Sequence, residues 1–210
     1  MDIDKKSSSI VLISLYTATN NNKGLEYALY AGLENGMTIN EIKEELCHLY
    51  SYCGWGNSIR GINLLKDVLH QRKAKGIDDP EGRDATPNFS VESRYEFGAR
   101  MQCLITGLSE EQLRKNFDFC PLMDKYLKEH LFVDQFGRDT LTYKERELAT
   151  VSALVATQDS FLSSHLHAAL NVGISAEELR ACFEIERAAI GDEQIEWANQ
   201  QLDNVLLTKK

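Results

Sequence analysis

The chain contains a partial copy of itself, and this limits the folds that it can adopt. Residues 28–69 align with residues 165–206 at a constant offset and without a gap. The matched pairs are Leu29/Leu166, Ala31/Ala168, Leu33/Leu170, Gly36/Gly173, Thr38/Ser175, Glu41/Glu178, Gly54/Gly191, Leu65/Leu202 and Val68/Val205. With a one-residue slip the match extends upstream to Ser14, Ala18 and Thr19, which pair with Ser152, Ala156 and Thr157. We therefore expect two related units in one chain.

Both units carry the same helix signals. Each has a Ser/Thr-x-x-Glu capping box, in which the hydroxyl and the carboxylate each satisfy a free backbone N–H at a helix start. Gly36 and Gly173 lie just upstream, where a preceding helix would end in a left-handed residue. Apolar residues then recur at helical spacing, and no convincing run of alternating strand residues is present. The sequence predicts an all-α fold with three helices in each unit.

The segment between the units has a different composition. Residues 75–88 (KGIDDPEGRDATPN) are rich in Gly, Pro and Asp, which is typical of a surface connection. Helices are predicted over 90–105 and 109–116, and a third begins at Pro121 because proline is well tolerated at the first helical position. We expect units at residues 1–75 and 121–210, joined by residues 76–120 and packed as one compact helical domain.

Composition excludes several classes of partner. The net charge of -9 argues against nucleic acid and against anionic membranes, which both need concentrated Lys and Arg. The five cysteines show no CxxC spacing, so neither a disulfide framework nor a zinc site is expected. Reduced thiols and the lack of any apolar run of about 18 residues favour a cytoplasmic protein. Its partners are expected to be small molecules or other subunits.

Three stretches carry a family resemblance. They are YLKEHLFVDQFGRDTLTYKERELATVSALVATQ (residues 126–158), the following SSHLHAALNVGISAEELRACF, and ALYAGLENGMTINEIKEELCHLYSYCGWGNSIRGINLLKDVL in the first unit. They resemble the carboxymuconolactone decarboxylase family, which includes the alkylhydroperoxidase-D-like proteins. The resemblance implies a helical-hairpin core, tandem units, a homo-oligomer (trimer or hexamer) and sites in clefts among helices. It also implies a lyase activity.

The family's peroxidase chemistry is only partly represented. In that branch, an upstream Glu, a CxxC pair and a downstream His form a proton relay around a redox dithiol. The second unit keeps the two ends, Glu147 and His165. The two cysteine positions hold Gln158 and Phe161, which cannot form a disulfide. The family-level label of peroxiredoxin activity therefore does not extend to a CxxC mechanism here.

Glu147 and His165 form a candidate acid/base pair. A nearby carboxylate orients an imidazole and raises its basicity. Decarboxylation of a carboxylactone through an enol-like intermediate needs such a group to move a proton, together with a donor for the developing oxyanion. That scheme requires no metal and no organic cofactor. The alternative is structural: a carboxylate favoured by the helix dipole and a partly buried helix histidine.

The first unit lacks this pair and offers different residues. It has Ala28 at the position of His165, and Ser9 or its neighbour at that of Glu147. It has instead His48 and Tyr52, which share a helical face by their four-residue spacing and are candidates for binding a substrate carboxylate or carbonyl. Because each unit keeps what the other lacks, one composite site is expected. Core packing with a satisfied hydrogen bond is the alternative.

Two further residues are candidates for substrate binding. His130 lies in the region that the family uses to cover its site, and Arg138 is the best nearby cation for a carboxylated substrate. Three functions remain open at this point. They are a carboxymuconolactone decarboxylase-like enzyme acting on a small lactone or related carboxylated compound, a thiol-dependent antioxidant without CxxC, and a non-catalytic binding or assembly protein.

Overall fold

The computed structural model describes residues 3–87 and 93–208 of the chain. Every regular element in these two ranges is a helix, which confirms the all-α prediction. The N-terminal part contains α1 (Lys5–Ala18), α2 (Asn22–Glu34), α3 (Ile39–His48) and α4 (Tyr50–Ala74).

The middle of the chain contains short helices and one irregular one. They are α5 (Arg94–Thr106), α6 (Glu110–Lys115), α7 (Pro121–Tyr126) and, directly after it, a π-helix (Leu127–Gln135). The predicted start of the first of these at residue 90 lies outside the described residues, and the hydroxyl of Ser93 caps α5. The predicted start at Pro121 is confirmed.

The C-terminal part again contains four helices. They are α8 (Tyr143–Thr157), α9 (Leu162–Asn171), α10 (Ala176–Ile190) and α11 (Asp192–Thr208). The sequence predicted three helices in each half, and the structure has four in each. In the second half, Gly191 with φ 87° separates α10 from α11. In the first half, α4 begins at Tyr50 directly after α3, and its aligned residue Gly54 interrupts α4 with φ 83°.

Equivalent positions of the two halves share their local geometry. Gly36 and Gly173 adopt φ values of 91° and 93°, as the helix-end prediction requires. Asn20 and Gln158, which follow α1 and α8, are the two non-glycine residues with positive φ in the described ranges. The capping boxes predicted at Thr38 and Ser175 are both formed.

The main hydrophobic core contains residues from both halves. Helices α1 and α8 pack against each other at its centre, where Ile10, Ile13, Val151 and Leu154 are almost completely buried. A smaller cluster joins α5, the π-helix and α9 through Met101, Ile105, Phe132, Phe136 and Ala168. The C-terminal helices are therefore packed on one side by the N-terminal half and on another by the middle segment.

Helix length and hydropathy set a limit on membrane insertion. Among the described residues, no helix combines the length and the apolar character that crossing a bilayer requires.

Candidate functional site

Helix α8 carries charged residues into the protein interior. It starts at a capping box, in which the hydroxyl oxygen of Thr142 accepts from the N–H of Glu145 and the Glu145 carboxylate accepts from the N–H of Thr142. Helices α1, α3, α4, α9 and α10 surround it, so every residue from Arg146 to Ala156 is buried. Because buried charges cost several kcal/mol when they are unpaired, Arg146 and Glu147 both need partners.

The structure brings the predicted pair Glu147 and His165 together. Nδ1 of His165 on α9 lies 3.0 Å from Oε2 of Glu147 on α8. A carboxylate accepts hydrogen bonds, so Nδ1 carries the hydrogen and Nε2 is left as the nitrogen that can exchange a proton with a ligand. The side chain of His165 is 20% exposed, whereas that of Glu147 is 1% exposed. The buried Glu147 carboxylate thus orients the partly exposed imidazole of His165 through its Nδ1 atom.

The first half contributes aromatic residues to the same place. The Tyr52 ring at the start of α4 meets the His165 ring edge to face, with centroids 5.1 Å apart. His48 at the end of α3 lies 5.2 Å from Tyr52 by ring centroids, and its Nε2 is 2.9 Å from the hydroxyl of Thr150 on α8. The four residues His48, Tyr52, Glu147 and His165 therefore form one continuous cluster that draws on both halves.

Burial holds the first-half residues in their neutral forms. It lowers the pKa of His48 well below its usual value, and the charges of Arg146 and His165 lower it further. Burial also raises the pKa of Tyr52, as does the neighbouring Glu147 carboxylate. At neutral pH, His48 is an uncharged imidazole and Tyr52 a phenol that can donate a hydrogen bond.

Several buried polar atoms of this cluster have no hydrogen-bond partner within the described residues. They are Oε1 of Glu147, and Nε and Nη1 of Arg146. Tyr52 and His48 lie close enough to the side chains of Thr150 and Gln135, respectively, for these neighbours to influence their pKa values. Buried polar groups are almost always paired in folded proteins, because an unpaired one costs about 1–3 kcal/mol. The unpartnered atoms of Glu147 and Arg146 are therefore candidates for hydrogen bonds to a polar ligand, although Glu45 and Glu186 also carry such atoms.

Arg138, predicted as the cation for a substrate, contacts the Glu44 carboxylate and is half exposed. Its Nε donates to both carboxylate oxygens of Glu44, at 2.9 and 3.0 Å. The same carboxylate accepts from Nη2 of Arg146 at 2.7 Å. Burial alone would raise the pKa of Glu44, but these hydrogen bonds and charges lower it overall.

Sequence reasoning missed Arg146 and Thr150. A signal for Arg146 was nevertheless present in the sequence. From Leu148 to Ala156 every residue is small or apolar except Thr150 and Ser152, so this helix has no charged face, and all of these residues are buried in the structure.

His130 lies in a separate surface cluster. Its Nδ1 is 2.8 Å from Oδ2 of Asp134, and its Nε2 contacts the hydroxyl of Tyr50. Arg94 also donates to Asp134, at 2.6 Å. None of these contacts involves the four clustered residues, so the structure does not bring His130 into their group.

The cysteines show no redox arrangement in the described part of the chain. All five are free. Burial raises the pKa of Cys53 to about 11 and that of Cys182 to about 12. At the two former cysteine positions, Gln158 ends α8 in a left-handed conformation and Phe161 is exposed. Thiols with raised pKa values are poor nucleophiles at neutral pH.

Metal-ligating side chains are not grouped either. Within residues 3–87 and 93–208, no three His, Cys, Asp or Glu side chains are arranged so that they could hold a metal ion.

Comparison with known proteins finds similarity in the C-terminal part of the chain. Residues 121–204 match the model of the Carboxymuconolactone decarboxylase family. A search of curated proteins found no match. The matched range contains α8 and α9, and with them Arg146, Glu147 and His165, but it does not contain His48 or Tyr52. Residues 121–204 are thus the part of this chain that is similar to the carboxymuconolactone decarboxylase family.

Proposed function

We propose that the protein is a carboxymuconolactone decarboxylase-like lyase that performs acid/base chemistry, decarboxylation or lactone conversion, on a small carboxylated compound. The contact of 3.0 Å between Nδ1 of His165 and Oε2 of Glu147 carries this proposal. A separation within hydrogen-bond reach is what proton transfer by a carboxylate-oriented histidine requires. The similarity of residues 121–204 to the family supports the same class of reaction.

The proposed reaction uses His165 as the proton carrier. When the substrate carboxylate leaves as CO2, the electron pair of the broken C–C bond delocalises toward the lactone carbonyl and forms an enolate. Nε2 of His165, protonated beforehand, gives a proton to the enolate carbon, and the imidazole recovers a proton from solvent. Glu147 stabilises the charged imidazolium and fixes its orientation.

Tyr52 is proposed as the donor for the developing oxyanion. Its hydroxyl is buried, lies near the Thr150 side chain and belongs to a ring that touches His165. A preorganised donor in a site shielded from water stabilises negative charge more strongly than water does. His48 stays neutral and positions Thr150 and the Tyr52 ring.

The raised thiol pKa values weigh against the antioxidant alternative, because that chemistry needs a thiolate. A non-catalytic binding protein would need the same cluster to hold a ligand but would not need Nε2 of His165 to exchange protons. Turnover therefore separates that alternative from the enzyme.

Three further expectations belong to this proposal. The chain is divided into units at residues 1–75 and 121–210, with residues 76–120 between them. The protein forms a homo-oligomer, a trimer or a hexamer, which light scattering on the full chain measures directly. It acts in the cytoplasm, without a metal or organic cofactor.

A screen of small carboxylated lactones tests the proposal. We expect CO2 release or lactone conversion with at least one compound, and loss of that activity in His165→Ala. His167→Ala is the matched control, because this residue is two positions along α9 and therefore on another face of the helix. Turnover that persists in His165→Ala, while His167→Ala behaves like the wild type, would rule out the assigned proton carrier.

A further inference from the structure

The Glu44 carboxylate is shared by two guanidinium groups. It accepts from Nε of Arg138 at 2.9 Å and from Nη2 of Arg146 at 2.7 Å. One negative charge thus faces two positive charges, and the cluster has a net positive charge. The side chain of Arg138 is 48% exposed, so water solvates it, whereas that of Arg146 is 0% exposed. The charge that solvent does not reach is the one on Arg146.

Arg146 also has donors that its structural partners do not use. Its Nη2 donates to Glu44 and to the backbone carbonyl of Arg138, the latter at 2.9 Å. Nε and Nη1 are buried and have no acceptor in the described ranges of the chain. Anchoring Glu44 requires only Nη2, so a purely structural role leaves the two other nitrogens unexplained.

The position of Arg146 links it to the acid/base pair. It precedes Glu147 in α8, and one helical turn later Thr150 bonds His48. The Arg146 charge is, after burial, the largest influence that lowers the pKa of His48. His48 is therefore uncharged at neutral pH and does not compete with Arg146 for an anion.

We propose that Arg146 is the anion-binding residue of this site and holds a carboxylate of the ligand on its unused N–H groups. The proposal rests on the proposed function in that the ligand is the small carboxylated compound, and it adds the residue that selects for the carboxylate. Arg138, the cation expected from the sequence, holds Glu44 in place from the solvent side. The site accordingly prefers a carboxylate over the uncharged ester of the same compound.

Binding of a matched pair of probes tests this assignment. The probes are 5-oxotetrahydrofuran-2-carboxylate and its methyl ester, titrated into the full chain by calorimetry. The wild type is expected to bind the carboxylate about tenfold more tightly than the ester, which corresponds to about 1.4 kcal/mol. Arg146→Gln removes this preference and leaves ester binding unchanged. Arg72→Gln is the control, since Arg72 is a buried arginine that Glu34 and Asp79 bind elsewhere in the fold.

A second variant, Glu44→Gln, should raise the affinity for the carboxylate probe instead of lowering it, and it leaves Arg146 in place. Glu44→Gln removes the carboxylate that partly neutralises Arg146, so the affinity for the carboxylate probe rises about tenfold while that for the ester does not change. A role for Arg146 in folding alone would lower stability in this variant without any gain in anion affinity. Should Arg146→Gln fail to fold, Glu44→Gln decides the question.

Several results would overturn the assignment. They are a wild type that does not bind the carboxylate probe or binds both probes equally, a preference retained in Arg146→Gln, and a preference lost in Arg138→Gln instead. Glu147→Gln separates the two proposals, because it should abolish turnover and keep the carboxylate preference. A preference that depends on Arg146 without turnover of any lactone would contradict the proposed reaction and leave the anion site standing.

Discussion

Helices α1 and α8 pack against each other at the centre of the core, yet their buried polar residues behave differently. On α1, the hydroxyls of Ser9 and Thr17 donate to carbonyl oxygens of their own helix, at 2.9 and 2.7 Å. On α8, Arg146 and Glu147 retain unpartnered atoms within the described structure. Serine and threonine can satisfy themselves on their own helix turn, whereas Arg and Glu depend on other elements or on a ligand. The unpartnered atoms support our proposal that ligand binding involves α8, whereas the hydroxyls of Ser9, Thr17 and Ser14 on α1 all have acceptors within the protein.

The positions equivalent to the acid/base pair show the same contrast. In the first half, Ala28 is completely buried, and Ser9 also accepts from the side-chain amide of Asn35 at 3.0 Å. In the first half, this position is therefore packed with apolar atoms, and its one polar side chain, Ser9, has hydrogen-bond partners. Conversely, the second-half equivalents of His48 and Tyr52 are Ile185 and Ala189, which offer no polar group. Among the described residues, His48 and Tyr52 of the first half therefore lie in one cluster with Glu147 and His165 of the second.

The strongest test of this contrast replaces the carboxylate behind His165. Glu147→Gln should lower kcat about 10²- to 10⁴-fold, because the imidazolium loses the charge that stabilises and orients it. Ser9→Ala, at the equivalent place on α1, should leave kcat within about twofold of the wild type. Glu186→Gln is a second control, since this glutamate is also fully buried but lies outside the site. Equal losses in Glu147→Gln and Glu186→Gln would point to a general effect of buried glutamates.

A smaller effect is expected for the first-half contribution. Tyr52→Phe should lower kcat about 10²-fold, since it removes the proposed oxyanion donor. It should change the free energy of unfolding by less than about 1 kcal/mol, because the cost of burying the hydroxyl offsets what its interaction with Thr150 contributes. Chemical denaturation and steady-state kinetics measure the two quantities. A marked loss of stability with unchanged kcat would show that Tyr52 only supports the core.

Stability should depend on pH through two glutamates, one in each half. Burial raises the pKa of Glu45 and of Glu186 well above the usual 4.5, although Ser14 and Ser152 respectively oppose the shift. Their contribution is fully present below pH about 4.5 and is lost as pH rises toward the folded-state pKa values. Glu45→Gln and Glu186→Gln should therefore stabilise the protein increasingly from pH 5 to 8, by about 1.4 kcal/mol per pKa unit removed.

The control for this dependence is the neighbouring residue Glu44. Its pKa is lowered, so its stabilisation is present above pH about 4.5 and is lost as pH falls. Glu44→Gln should accordingly cost most at neutral pH, opposite in sign to Glu45→Gln. Unfolding by urea across this pH range measures both, and a difference between variant and wild type that does not change with pH would contradict the assignment.

The smallest expected effect is on the free energy of unfolding, and it concerns the capping boxes that both halves contain. Thr38→Ala and Ser175→Ala should each lower the free energy of unfolding by about 1 kcal/mol, because each removes the hydroxyl of a formed capping box. Urea unfolding measures the two variants side by side. A cost confined to one variant would indicate that the halves differ in their helix starts as well as in their sites.

Local signals in the sequence predicted much of this structure. The capping boxes, Gly36 and Gly173, and the start of α7 at Pro121 follow from interactions within a few residues. The pairing of Glu147 with His165 was predicted from the family resemblance, because these residues occupy the Glu and His positions at the two ends of the family's peroxidase motif. Arg146 and Glu44 are 102 residues apart, and no local pattern reports such a pair. The π-helix after Tyr126 and the commitment of Arg138 to Glu44 likewise depend on tertiary packing, which competes with local preference.

The most direct test of the single composite site is the number of ligand molecules bound per chain. Calorimetric titration of the full protein with 5-oxotetrahydrofuran-2-carboxylate should give one site per chain. Its affinity should fall both in Tyr52→Phe, from the first half, and in His165→Ala, from the second. Two sites per chain, or an affinity that responds to only one of these substitutions, would contradict the account.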